Sequence, residues 1–250
     1  MKRLEPKILH YESLPSTNTE AARLALQGAG EGLSVVADEQ TAGRGRLQRN
    51  WLSPKGAGLY LSIVLRPEIP LIQWPLLTFM AAVAVNDALL KACALQTDIK
   101  WPNDILSGER KLCGILSEAI ETDEGRAAVT GIGINLTAEA FPQELAAVAI
   151  SVEEATNRKP DRDVVLAALL EALVHRYSTL HEPEGAALTL EAWRERSSYG
   201  QGKRVKVVNG EEVIQGITCG LEDDGALRVE TETEGVRIIR AGDVASLRSS

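Results

Sequence analysis

The stretch WPLLTFMAAVAVNDALLKACAL, residues 74–95, most constrains what this chain can become. Wound as a helix, it carries apolar residues around most of its circumference, so it has no broad polar side to give to water. Such a helix is central and buried. Pro75 is tolerated in its first turn. Upstream, ILHYE (8–12) alternates weakly, and Ser16, Thr17 and Asn18 offer N-caps for a helix over Thr19–Gln27 that ends at Gly28. LSVVADEQ (33–40) reads as a strand. GLYLSIVLR (58–66) alternates apolar with small or polar residues, the period of a half-buried strand, closed by Pro67 and Pro70. Downstream, QTDIKW (96–101), KLCGILSEAI (111–120) and RAAVTGIGINL (126–136) form a meander, with turns at Gly108-Glu109-Arg110 and Asp123-Glu124-Gly125. The segment 151–198 is helical, and Asp161 or Asp163 caps its main helix.

At SSYGQGK (197–203) the texture changes. Four short β-like runs follow, separated by turns at Asn209-Gly210, Asp223-Asp224-Gly225 and Glu234-Gly235. Asn-Gly between alternating apolar residues is a strong hairpin signal, and so many short strands suggest a small barrel. The boundary falls near Tyr199 and divides the chain into 1–198 and 199–250. With 44% hydrophobic residues in 250, a sizeable core can be buried. The formal charge of −8 argues against non-specific nucleic-acid binding, which requires a basic face. Cys93, Cys113 and Cys219 are too few and too scattered for a disulfide scaffold or a paired-cysteine metal site. His10, His175 and His181 complete no ligand pattern with them. The N-terminal MKRLEPKILHYE lacks a signal-peptide stretch, and no segment approaches the ~20 apolar residues of a membrane helix. The expectation is a cytoplasmic protein with no membrane partner.

Against that acidic background, Gln40–Lys55 contains no acid while carrying Arg44, Arg46, Arg49 and Lys55. Gly43 and Gly45 alternate with the first two arginines, and glycine lets a backbone pass close to a ligand. Guanidinium forks match carboxylate and phosphate oxygens. The R-G-R spacing predicts both guanidiniums on one side of an extended backbone. Trp51 adds an aromatic plate. A solvated turn is the bland alternative, but the absence of interleaved acid favours an anion site.

Three further clusters are individually modest. Ser16-Thr17-Asn18 is a helix cap, and also a set of polar groups at a helix N-terminus ready for a ligand. Lys100-Trp101-Pro102-Asn103-Asp104 reads as a strand running into a turn. Functionally, Asn103 offers base- or ribose-type hydrogen bonds, and Asp104 a carboxylate for a metal or another charged partner. Lys111 opens an apolar strand, either as an exposed start or as an inward cation for phosphate or carboxylate. Gly131 and Gly133 lie on one strand face, leaving bare backbone for a flat ligand.

In this order, S-T-N, Q-T-A-G-R-G-R with a following tryptophan, G-L-Y-L-S, K-W-P-N-D, K-L-C-G-I-L and G-I-G-I-N resemble the biotin–protein ligase family across residues 10–136. The resemblance implies an α+β fold: a class II synthetase-like catalytic domain with a mixed or antiparallel sheet backed by helices, then a small SH3-like barrel. It implies the substrates biotin and ATP, with Mg²⁺. Biotin's carboxylate would attack the α-phosphate to give biotinyl-5′-AMP, and a lysine of a biotin carboxyl carrier protein domain would then take the biotinyl group. Bringing two anions together calls for fixed cations. By the resemblance these are Arg44, Arg46 and Lys111. Ser16, Thr17, Asn18 and Gln40 would hold the biotin head group, with Gly45 in the closing loop and Gly114 in the pocket floor. Trp51 would stack on adenine, and Asn103 and Asn135 would hydrogen-bond the adenosine. Asp104 would support the metal or orient a basic group.

The chain departs from the family at Leu47-Gln48-Arg49-Asn50, where relatives often carry a further glycine and more basic residues. A less basic loop that closes differently is expected. Some members add an N-terminal DNA-binding domain. Only about 15 residues precede Ser16 here, so the expectation is a monofunctional ligase that binds no DNA. Family members often pair sheets edge to edge, which makes a homodimer an expectation too. Two other readings share the motifs. One is lipoate- or octanoate-protein ligase-type acyl transfer, disfavoured by the R-G-R loop and K-W-P-N-D. The other is a non-catalytic biotin-binding module, disfavoured by Lys111 beside both arginines.

Overall fold

The computed structural model describes residues 4–247. A seven-stranded sheet runs in the order β1-β2-β3-β7-β6-β5-β4. Its strands are β1 (Lys7–Leu14), β2 (Leu33–Gln40), β3 (Gly58–Leu65), β4 (Asp98–Lys100), β5 (Asp104–Ser107), β6 (Arg110–Thr122) and β7 (Gly125–Asn135). β1 and β2 are parallel, and the other neighbours are antiparallel. The sheet is therefore mixed, as expected. The expected meander of three strands has four, because the turn after Lys100 is short and Asp104 already belongs to β5, paired opposite Lys100.

Helix α1 (Thr17–Leu26) covers one sheet face, with Ala21 and Ala25 packed on Val35, Ala37, Val64 and Val129. Helix α2 (Leu76–Cys93) covers the other face together with α4 (Arg162–Leu180) and α5 (Gly185–Arg194); α3 (Val152–Thr156) is a short turn of helix between β7 and α4. Asp161 caps α4 by accepting from the Asp163 and Val164 N–H groups. By length and composition α2 could cross a membrane, which corrects the expectation that no segment comes near that limit. Its packing explains the composition: 67% of it is buried inside the molecule.

β3 corrects a second expectation. It is buried at every position rather than half-buried. Leu59, Leu61, Ile63 and Leu65 join the α2 side of the core. The alternate residues Tyr60, Ser62 and Val64 are equally buried toward α1. The small and polar members of the alternating pattern thus face a second internal layer, not water.

The C-terminal strands β8 (Gln201–Asn209), β9 (Glu212–Leu221), β10 (Leu227–Thr231), β11 (Gly235–Ile239) and β12 (Asp243–Ser246) form an antiparallel sheet in the order β11-β10-β9-β8-β12. The last β-like run of the sequence is two strands, broken at Gly242, whose φ of 143° few other residues adopt. This sheet shares one hydrophobic cluster with the rest of the molecule. Trp101 Nε1 donates to the Gly225 carbonyl at 3.0 Å. A Cβ on Gly225 would stand 2.9 Å from the Phe79 ring, so glycine there permits the close approach.

Candidate active site

A single cleft of about 1190 Å³, including solvent at its mouth, gathers every site residue singled out from the sequence. It lies on the α1 face of the sheet, floored by Gly114, Gly131 and Gly133, and it splits into two unlike walls.

One wall is a buried polar layer. Ser16 caps α1, accepting from the Thr19 N–H at 3.5 Å. The first helical N–H, that of Thr17, has no partner within the helix. Gln40 supplies it: its Oε1 accepts from Thr17 N at 2.8 Å and Thr17 Oγ1 at 3.0 Å, while its Nε2 donates to Ser53 Oγ at 2.7 Å. Ser62 Oγ lies 2.7 Å from Thr17 Oγ1 and 2.6 Å from Asn18 Oδ1. Asn18 Nδ2 donates to the Leu116 carbonyl and to Glu118 Oε2. Buried polar atoms that bond one another in this way hold fixed positions.

The other wall is the basic loop. It folds back on itself through an Arg44–Asn50 bridge, and the Gly45 N–H donates to the Arg49 carbonyl at 2.7 Å. Gly43 is obligatory, since a Cβ there would lie 2.3 Å from the Trp51 carbonyl oxygen. At the tip Leu47 and Gln48 have φ of 53° and 59°, a left-handed conformation that costs non-glycine residues of order 1 kcal/mol each. The departure seen in the sequence thus sits at the strained point of the loop.

The expected common orientation of Arg44 and Arg46 is corrected. Arg44 pairs with Glu118 at 2.5 Å. Arg46 turns toward Asn103 Oδ1 at 3.2 Å and the Gly242 carbonyl at 3.4 Å. The 3-10 turn at Arg46–Gln48 breaks the extended backbone that would have aligned them. Burial pulls the Arg46 guanidinium below its ordinary range, while Asp243 and Asp104 oppose that shift. Guanidinium stays charged regardless, so Arg46 is a partly desolvated cation facing a cleft.

Lys111 takes the inward alternative. Its Nζ lies 2.6 Å from Asp104 Oδ1 and 5.4 Å from the centre of the Trp51 ring. Asp104 is therefore ion-paired with a lysine at the edge of the cleft. Among the described residues no group of three or more His, Cys, Asp or Glu could hold a metal. Asn103 is spoken for as well: its Nδ2 donates to the Ile115 carbonyl at 2.8 Å while its Oδ1 receives Arg46. Asn135 Nδ2 donates to the Ile150 carbonyl at 3.2 Å.

The bare glycine face is not bare. Asn18 lies against Gly131, and the Trp51 ring lies against Gly133 and Gly114. Trp51 Nε1 is buried there and has no hydrogen-bond partner among the described residues.

Two contributors escaped the sequence reading. The segment 138–149 supplies Ala140, Phe141, Leu145 and Val148 as an apolar side of the cleft. It is tied to β6 by Lys111 N to Val148 O at 2.8 Å and Ile150 N to Lys111 O at 3.0 Å. Its signal was an apolar run with no clear period directly after G-I-G-I-N. Asp243 comes from the C-terminal sheet and pairs with Arg49. No local pattern marks it.

Residues 11–135 match the Biotin/lipoate A/B protein ligase family, and residues 201–246 match the Biotin protein ligase C terminal domain. The chain is 40% identical over 241 residues to a bifunctional ligase/repressor of Bacillus subtilis, covering 95% of this chain and 73% of that protein. It is 36% identical to a biotin–[acetyl-CoA-carboxylase] ligase of Paracoccus denitrificans, over 92% of this chain and 96% of the other. Among solved structures, a biotin protein ligase from Aquifex aeolicus in complex with biotin and ATP superposes with a TM-score of 0.82 at 30% identity, over 97% of this chain and 99% of that one.

Proposed function

The chain belongs to the biotin/lipoate A/B protein ligase family, and from that premise we propose how its cleft works as an ATP-dependent biotin–protein ligase. Biotin and MgATP are the substrates. A carboxylate oxygen of biotin attacks the α-phosphorus of ATP, the bond to the β-phosphate oxygen breaks, and pyrophosphate leaves. The ε-amine of a lysine on a biotin carboxyl carrier protein domain then attacks the carbonyl of the mixed anhydride. AMP leaves, the amine gives up a proton, and an amide remains.

The observation that carries this reading is the pairing of a fully bonded polar wall with two fixed cations in one cleft. The wall of Ser16, Thr17, Asn18 and Gln40 suits a polar head group that must be held in one pose. Arg46 and Lys111 share the influence of Asp104, which forms an ion pair with Lys111 and acts on Arg46. They offset the repulsion between a carboxylate and a phosphate and stabilise charge growing at phosphorus. Asn103 serves by holding Arg46. Trp51, Asn135 and the 138–149 segment give the adenosine a flat and largely apolar berth. Magnesium would enter with ATP and supply positive charge against its phosphates.

The same reading assigns catalysis to 1–198 and a supporting role to 199–250. It makes the chain a cytoplasmic ligase that does not bind DNA, supported by the net charge of −8 and by free, scattered cysteines. Edge strand β1 exposes Ile8 and Leu9, the feature that supports a homodimer.

The deciding experiment incubates the protein with biotin, MgATP and a carrier domain and measures transfer. ATP–pyrophosphate exchange supported by biotin and not by lipoate is the expected result. Exchange driven by lipoate instead would overturn the substrate assignment. A mobility shift with duplex DNA would overturn the ligase-only reading.

A further inference from the structure

We infer that Glu118 is a positioning residue that latches the basic loop to the buried polar wall and so sets how long the acyl-adenylate stays bound. This rests on the proposed reaction. Glu118 lies on β6, beyond the motifs that mark the site in the sequence. Its carboxylate divides its two oxygens: Oε1 meets Arg44 Nη2 at 2.5 Å, and Oε2 accepts from Asn18 Nδ2 at 2.9 Å. One partner belongs to the loop and the other to the first turn of α1. Asn18 in turn touches Ser62 at 2.6 Å and donates to the Leu116 carbonyl. The loop is thereby joined to groups that cannot move independently.

The opposite flank of the loop is pinned elsewhere, by Arg49 to Asp243 and Arg46 to the Gly242 carbonyl. Glu118 is thus the anchor that ties the loop to the head-group wall. It also decides which cations face the ligand. With Arg44 drawn to Glu118, Arg46 and Lys111 are left to meet the reacting oxygens. Only a carboxylate can do this, because both of its ends accept. A glutamine must present its amide nitrogen either to Arg44 or to Asn18 Nδ2, and each of those is a donor.

The Arg44–Glu118 pair is partly exposed, at 48% and 32% for the two side chains. Solvent screens such a pair, so the effect is about fivefold rather than a hundredfold. The test loads the enzyme with labelled biotin and MgATP, then follows release of labelled biotinyl-adenylate into excess unlabelled biotin. In Glu118→Gln and in Arg44→Gln, release should quicken about fivefold, while the double variant should be no faster than either single one. Added salt should quicken release from the wild type and leave Glu118→Gln nearly unchanged. A purely structural role would lower the melting temperature and leave the salt response in place. Where Glu118→Gln fails to fold, Arg44→Gln carries the same expectation from the exposed side of the pair. Equal release from all variants, or single effects that simply add, would overturn the latch. A wild type that forms no adenylate would overturn the ligase reading itself, at the earlier step.

Discussion

Gly131 and Gly133 stand two residues apart on one face of β7, and each is glycine because a side chain from elsewhere fills its place. A Cβ on Gly131 would lie 2.0 Å from Asn18 Oδ1; one on Gly133 would lie 2.4 Å from Trp51 Nε1. The two intruders differ in freedom. Asn18 is buried in the first turn of α1 and held by Ser62, Leu116 and Glu118. Trp51 is only partly buried, ends a strained loop, and leaves its N–H unbonded among the described residues. One half of the floor meets a wall of buried, mutually bonded polar groups. The other half meets a loop held by partly exposed ion pairs. Recognition of a head group profits from the first and enclosure of an activated intermediate from the second.

The largest effect expected from breaking this division comes at the cations between the two halves. Arg46→Ala or Lys111→Ala should cut biotin-dependent ATP–pyrophosphate exchange by about 10²–10³, with melting temperatures close to the wild type. Normal exchange in both would remove the charge-stabilisation role. Next in size is Gly131→Ala. Its methyl group has nowhere to go unless Asn18 moves, so a loss of about 1–3 kcal/mol in urea unfolding and weaker biotin binding are expected. Unchanged stability would show that the polar wall is not rigid.

Gly133→Ala sharpens the contrast, because its methyl displaces a side chain that can leave. It should cost about 1 kcal/mol or less. Trp51 emission should shift to the red as the ring enters water, against a constant background from Trp74, Trp101 and Trp193. A large stability loss with no spectral change would mean that loop and wall are equally fixed. The smallest effect belongs to Leu47→Gly. It removes a left-handed leucine that is 68% exposed and buries little. A gain of about 0.5 kcal/mol is expected, read as a slightly higher melting temperature.

Much of this was legible beforehand where local chemistry decides. LSVVADEQ gave the bounds of β2, and the apolar girth of residues 74–95 announced a helix packed between layers. Ser16 and Asp161 cap the helices they precede. The alternation along residues 58–66 marks a strand, but not its burial. Period 2 reports which residues share a face, and says nothing of whether water or a second layer lies beyond. The site residues were legible as a set because glycine, arginine and amide clusters are rare in an acidic chain. Their contacts with one another were not: Asn103 meets Arg46, and Asp104 meets Lys111.

By itself, then, the sequence determined most of the elements, the family and much of the cast of residues at one cleft, since periodicity, caps and glycine placement are properties of neighbouring positions. Tertiary structure alone decided which cation meets which anion. Glu118 lies 74 residues from Arg44, and Asp243 lies 194 from Arg49. A stretch free of acid can therefore be neutralised from across the fold. The physical reason is that a guanidinium takes whatever carboxylate strand pairing and sheet packing bring within a few ångströms, and those pairings are settled by the burial of the whole chain rather than by the loop that carries the charge.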